Sequence, residues 1–132
     1  MDVALRFDWR TIGVMQLDNG KLVFPPAPDA PGIYRFDLSD RVYIGETDRL
    51  RRRFQHYRTP GPTQPTNQRL NGVMLALLAE ARQIDVCVIT SAEVEVDGQS
   101  HVLDLSRKAA RLLVESAALT AAAIAGHAVE NL

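Results

Sequence analysis

The sequence predicts one mixed α/β (α+β) fold: a small, mainly antiparallel sheet flanked by helices, with an N-terminal β-hairpin extension. Three observations predict it. The chain has 132 residues, 46% apolar and 23% charged, the size and balance of a single globular core. Short alternating or β-branched runs are joined by turn residues, so neighbouring strands pair as hairpins and run antiparallel. Between them lie stretches with the apolar period of amphipathic helices.

Each element follows from local chemistry. Residues 3–9 alternate Leu5, Phe7 and Trp9 with Arg6 and Asp8, the period-two pattern of a half-buried strand. Residues 14–17 and 21–24 flank Asp18-Asn19-Gly20, where Asn-Gly accepts the positive φ of a hairpin turn. Pro25, Pro26, Pro28 and Pro31 then fix an extended connector. Residues 1–31 read as an extension, packed on the sheet or reaching for a partner, and residues 32–132 as the main domain.

Residues 32–36 and 42–45 are predicted strands joined by a tight turn at 38–41. Thr47 or Asp48 is placed to cap a helix over 49–57, which Pro60-Gly61-Pro62 breaks. A second helix begins at Thr66 or Asn67 and runs to Ala81, with Leu70, Val73, Met74, Leu77 and Leu78 as its buried stripe. Residues 84–90 are a β-branched strand, and Asp97-Gly98 marks a short hairpin within 93–102. Asp104 or Ser106 opens a long helix that Gly126 ends. Its predicted apolar face is Leu105, Ala109, Leu112, Ser116, Leu119 and Ala123.

No apolar run approaches the roughly 18–20 residues of a bilayer span, and Met1-Asp2-Val3-Ala4 lacks the features of a signal peptide. Cys87 is the only cysteine, which rules out an intrachain disulfide or a multi-cysteine metal site. The expected location is cytoplasmic, with no membrane partner. The net charge of −1 argues against indiscriminate nucleic-acid binding. Residues 41–58 nevertheless carry six arginines against two acids, a net of +4 that leaves −5 on the rest. Such a patch is either a solvated helix face or a surface for an anionic partner.

A turn centred between Ser39 and Asp40 pairs Tyr34 with Gly45 and Phe36 with Tyr43, and puts all four on one face. Gly45 is then expected to leave open space opposite Tyr34. On the following helix, Leu50, Phe54 and Tyr57 form the buried stripe and Arg53 lies at its edge. That position holds a guanidinium where it could bind a phosphate bidentately, the alternative being a salt bridge to a nearby acid. Arg49 and His56 sit further toward solvent, within reach of neighbouring phosphates. Glu115 lies at the edge of the last helix's apolar face, where a carboxylate could hold Mg²⁺ or simply pair with Arg111.

These residues resemble the GIY-YIG endonuclease domain, whose name is spelled here by Gly32-Ile33-Tyr34 and Tyr43-Ile44-Gly45. Arg53 matches the family's arginine. Tyr57 stands where members carry histidine or tyrosine, and the tyrosine form is similar to the N-terminal incision domain of UvrC-type excision-repair nucleases. Glu115 fits the metal-binding glutamate and Asn131 the closing asparagine. Eight residues separate the tripeptides, a tight spacing, and Glu46 follows the second one where a basic or neutral residue would suit phosphate better.

The resemblance implies a GIY-YIG nuclease-like fold over residues 32–132 and Mg²⁺- or Mn²⁺-dependent hydrolysis of DNA phosphodiesters. Tyr34 is then the candidate base, Tyr43 positions water or phosphate, and Arg53 neutralises the phosphorane. Tyr57 orients Tyr34 or holds a phosphate, Glu115 binds the metal, and Asn131 bonds nearby backbone. Arg49, Arg52, His56 and Arg58 would contact nucleic acid. RNA stays open as a substrate beside DNA, as do repair and restriction as processes. Specificity would come from DNA shape, a homodimer or a partner protein. The alternative is a non-catalytic nucleic-acid-binding module that keeps the fold.

Overall fold

Two-residue turns with left-handed backbone organise this chain, and each sits where a polar residue tolerates it. Asn19 (φ +50°), Ser39 (φ +55°) and Asp97 (φ +47°) each open one. The computed structural model describes residues 1–131. The N-terminal strands are β1 (Val3–Arg6), β2 (Arg10–Val14), β3 (Gln16–Asp18) and β4 (Lys21–Val23). The motif hairpin is β5 (Gly32–Leu38) and β6 (Arg41–Thr47), followed by helices α1 (Leu50–Arg58) and α2 (Pro65–Ala79). Then come β7 (Asp85–Ile89), the hairpin β8 (Glu93–Val96) and β9 (Gln99–Val102), helix α3 (Lys108–Ile124) and β10 (Val129–Glu130).

The fold is the expected α+β class. A five-stranded sheet runs β10-β6-β5-β7-β2, a three-stranded sheet runs β1-β8-β9, and β3 pairs with β4. Among the described residues, only the β10–β6 pairing is parallel. The N-terminal segment does more than cover the sheet: β2 is hydrogen-bonded to β7 as a strand of the central sheet, and β1 to β8. Among the described residues, no helix is long and apolar enough to cross a membrane.

Strand alternation divides the interior into two cores. Tyr34, Phe36, Leu38 and Tyr43 pack with Leu50, Phe54 and Tyr57 of α1 and with Leu70 and Met74 of α2. Ile33, Val42 and Ile44 pack on the opposite side with Val114, Ala118 and Ala122 of α3. The buried face of α3 therefore differs from the predicted one. It consists of Arg111, Val114, Ala118 and Ala122, whereas Leu112 and Leu113 are about half exposed, at 43% and 49%. The helix is so rich in alanine that several stripes have similar hydrophobicity, and packing against β6 selects among them.

Three predicted caps also resolve differently. Helix α1 begins after Arg49 without a side-chain cap. Thr47 Oγ1 accepts from the Arg49 amide at 3.2 Å, and the Ala30 carbonyl accepts from the Leu50 amide at 2.9 Å. Helix α2 begins at Pro65, whose missing N–H costs nothing in a first turn. Asp104 accepts from Ser106 ahead of α3, which starts only at Lys108.

The register is the one that alternation predicts: Tyr34 opposite Gly45 and Phe36 opposite Tyr43. The expected open space at Gly45 is absent, because the Tyr34 ring fills it. A Cβ at Gly45 would lie 2.4 Å from the Tyr34 hydroxyl oxygen and 2.5 Å from Cζ. Tyr34 is fully buried and rigidly packed, so Gly45→Ala should cost about 1–3 kcal/mol of overpacking. Denaturant unfolding would measure it; a variant as stable as the parent would contradict this tight fit.

Candidate active site

The phenol face forms around one fixed hydroxyl pair. Tyr34 and Tyr57 oxygens lie 2.6 Å apart, and Tyr57 donates over a longer 3.5 Å to Tyr43. A hydroxyl has one proton, so Tyr34 donates to Tyr57, and Tyr57 to Tyr43. All three rings have no exposed surface. They meet edge to face, with Tyr34–Tyr57 centroids 5.9 Å apart and Tyr43–Tyr57 centroids 6.3 Å apart.

This burial changes the expected chemistry of Tyr34. Desolvation raises its pKa well above the ordinary phenol value, Tyr57 adds to the rise, and the nearby Arg53 charge opposes it without prevailing. Tyr43 is raised too, again chiefly by burial. A base working at neutral pH needs the opposite shift. In this structure Tyr34 is a neutral donor, contrary to the expectation that Arg53 would draw it toward phenolate.

Arg53 lies at the edge of the α1 stripe, half buried, beside the phenols. Burial works against its charge, but the neighbouring Tyr34 and Tyr57 oxygens and Glu46 outweigh it and raise its pKa. Among the described residues no carboxylate forms an ion pair with it, so the alternative of a structural salt bridge is not what the fold uses. Its neighbours differ. Arg49 pairs with Asp29 at 3.1 Å, and Arg52 pairs with Asp48 one turn earlier. Arg58 and His56 make no side-chain hydrogen bond or ion pair among the described residues; Arg58 is exposed and His56 half-buried.

The opposite face of β6 carries the acids. Glu46 accepts from Arg111 Nε at 2.6 Å, and Arg111 Nη1 donates to the carbonyls of Leu105 at 3.1 Å and Ser106 at 3.0 Å. Arg111 is therefore committed to Glu46 rather than to Glu115. Glu115 is half buried, has no cationic partner among the described residues, and lies beside Asn131 and the Glu46 backbone amide, both of which favour its charged form. Burial raises its pKa, Asn131 opposes the rise, and the charge of Glu46 adds to it. Asn131 donates to the Ile44 carbonyl at 2.8 Å.

The predicted residues thus gather in two groups at one sheet edge. Tyr34, Tyr43, Tyr57 and Arg53 lie on the α1–α2 side, and Glu115 and Asn131 lie on the α3 side. Among the described residues, strand β10 pairs with Val42 and Tyr43, and beyond that pairing Asn131 and Glu115 approach Ile44–Glu46 of β6. The charge of Glu46 is felt by both Arg53 and Glu115, which links the groups electrostatically.

Sequence reasoning offered Arg111 only as a partner for Glu115, not for Glu46, and missed Arg69. Arg69 of α2 pairs with Glu130, which also accepts from Arg41 at 2.7 Å, and its charge reaches Tyr43. The only local signal for Arg111 was a cation three residues before Val114, on what proves to be the buried stripe.

Glu115 suits a divalent cation. It is a single carboxylate that pays for burial without a cationic partner, and the neighbouring Glu46 is already neutralised by Arg111. A hard ion that keeps several waters matches so small a donor set. Among the described residues no cluster of three or more ligating side chains occurs, consistent with one protein ligand rather than a closed cage.

No protein-family model and no curated protein matches the sequence. Among solved structures, a mutant form of bacteriophage T4 EndoII superimposes with a TM-score of 0.53 at 20% identity, covering 83% of this chain and 86% of that one. The likeness is one of fold.

Proposed function

We propose that the protein is a metal-dependent endonuclease that hydrolyses DNA phosphodiester bonds. The observation that carries this reading is Arg53: a half-buried guanidinium with no carboxylate partner among the described residues, set beside three buried phenols. Such a group lacks an anion, and a phosphate supplies one with matching bidentate geometry. The fold shared with phage EndoII and the two tripeptides support the same reading.

Arg53 would stabilise charge growing on the phosphorus in the transition state. Mg²⁺ or Mn²⁺ on Glu115 would supply Lewis-acid stabilisation of the phosphate and leaving oxygen. Asn131 would hold Glu115 against the Ile44–Glu46 backbone. Tyr57, bonded to Tyr34 and set beside Arg53, would aim the guanidinium, with Tyr43 completing the chain. Tyr34 would position Tyr57 as a neutral donor.

That last role is testable. Tyr34→Phe should lower the cleavage rate about tenfold, from loss of one buried hydrogen bond, and leave the shape of the pH–rate profile unchanged. An alkaline rise present in the parent and lost in the variant would instead make Tyr34 the base.

The proposed activity itself is tested by incubating the protein with supercoiled plasmid, branched duplexes and single strands in Mg²⁺ or Mn²⁺. Nicked or linear products that require the metal are expected. DNA that is shifted but never cut would favour a non-catalytic binding module.

A further inference from the structure

A cleft between the proline strap and α1 takes no part in the site above. It holds about 410 Å³, within the roughly 300–1,000 Å³ of small-ligand clefts. Its walls include Phe24, Pro25, Pro26 and Phe54, with Arg51 and Arg58 also lining it. The Phe24 and Phe54 rings stack with centroids 5.0 Å apart, 24° from parallel, and Phe54 is core-packed. The apolar wall is therefore rigid.

The two arginines set the chemistry. Arg51 donates only to the Ala27 carbonyl, at 3.2 and 3.3 Å, and the Arg58 side chain has no partner among the described residues. Neither is paired with a carboxylate, and no Asp or Glu lines the cleft. On the same helix Arg49 and Arg52 are neutralised by Asp29 and Asp48. A half-buried Phe24 ring backed by Phe54, beside two uncompensated guanidiniums, complements a ligand with a planar face and an anionic group.

We propose that this cleft is a nucleotide subsite, taking one nucleotide of the substrate strand with its base against the Phe24–Phe54 wall and its phosphate on Arg51 and Arg58. The inference rests on the nuclease reading and adds where the strand is gripped away from the reacting phosphate. Arg53 leaves α1 on one flank of the buried stripe, and Arg51 and Arg58 leave about 140–160° around the helix on the other. A strand crossing the solvent face of α1 from Arg53 would reach the cleft on the far flank of the helix.

The test uses Arg51→Ala/Arg58→Ala, with Arg107→Ala/Lys108→Ala at the remote start of α3 as a control for removed charge. Both pairs are exposed, so thermal midpoints should match the parent. With a fluorescent oligonucleotide and Mg²⁺, the cleft variant should raise KM about tenfold, keep kcat within about twofold, and flatten the salt dependence of binding by about one phosphate contact. Thymidine monophosphate, but not inorganic phosphate alone, should shift the amide resonances of Val23, Phe24, Ala27 and residues 51–58.

Parental KM and salt slope in the cleft variant, with cleavage intact, would overturn the subsite and leave the nuclease reading standing. Nucleotide-induced shifts in the cleft with no cleavage under any metal would do the reverse. Shifts produced by a proline-rich peptide and not by the nucleotide would overturn the subsite in favour of a protein partner.

Discussion

Arg53→Ala should lower DNA cleavage by about 10²–10³-fold, the usual loss when one positioned donor to a transition-state anion is removed. The reason lies in its surroundings. The guanidinium is half buried beside phenol oxygens, so its orientation is set by packing and by Tyr57 before any substrate arrives. Removing it takes no carboxylate partner out of a pair, so the thermal midpoint should move little. Arg53→Lys keeps the charge but loses the planar fork, and should recover only part of the rate. Single-turnover cleavage at saturating DNA would read this directly. A variant that cuts at the parental rate would remove Arg53 from the chemistry and leave the phenol cluster as core packing.

Glu115→Gln should abolish metal-dependent cleavage and the thermal shift that Mg²⁺ gives the parent. Here the sign of the pKa shift matters. Burial raises the folded-state pKa of Glu115, so the native state holds that proton more tightly than the unfolded chain. The stability this group contributes is present at low pH and is lost as pH rises through the folded value. At neutral pH the ionised carboxylate is unfavourable in the metal-free protein, and a neutral glutamine relieves that. The variant should therefore melt at or above the parent without metal, and below it in excess Mg²⁺. Because Mg²⁺ needs the carboxylate form, the parent should lose its Mg²⁺-induced shift on acidification at a higher pH than an ordinary glutamate would. A variant that melts below the parent without metal, or one that keeps the Mg²⁺ shift, would refute this account of Glu115.

Much of this arrangement was legible because its causes are local. The positive φ at Ser39 and period-two alternation fix the pairing of Tyr34 with Gly45 and of Phe36 with Tyr43. Helical angles put Leu50, Phe54 and Tyr57 inside and Arg53 at the edge, and the structure agrees. The same reasoning failed on α3, where alanines give little contrast and Arg111 is buried in place of Leu112. It also failed at Gly45, because an absent Cβ says nothing about whether a ring enters the gap.

The sequence by itself determined the α+β class, the motif hairpin and its register, and the basic helix that follows, since each rests on residues a few positions apart. Only the tertiary structure decided which arginines carry free charge, that Glu46 belongs to Arg111 from 65 residues away, and that Tyr34 is a neutral buried phenol. Charge compensation and desolvation depend on which distant groups the fold brings within a few ångströms, and local periodicity does not encode them.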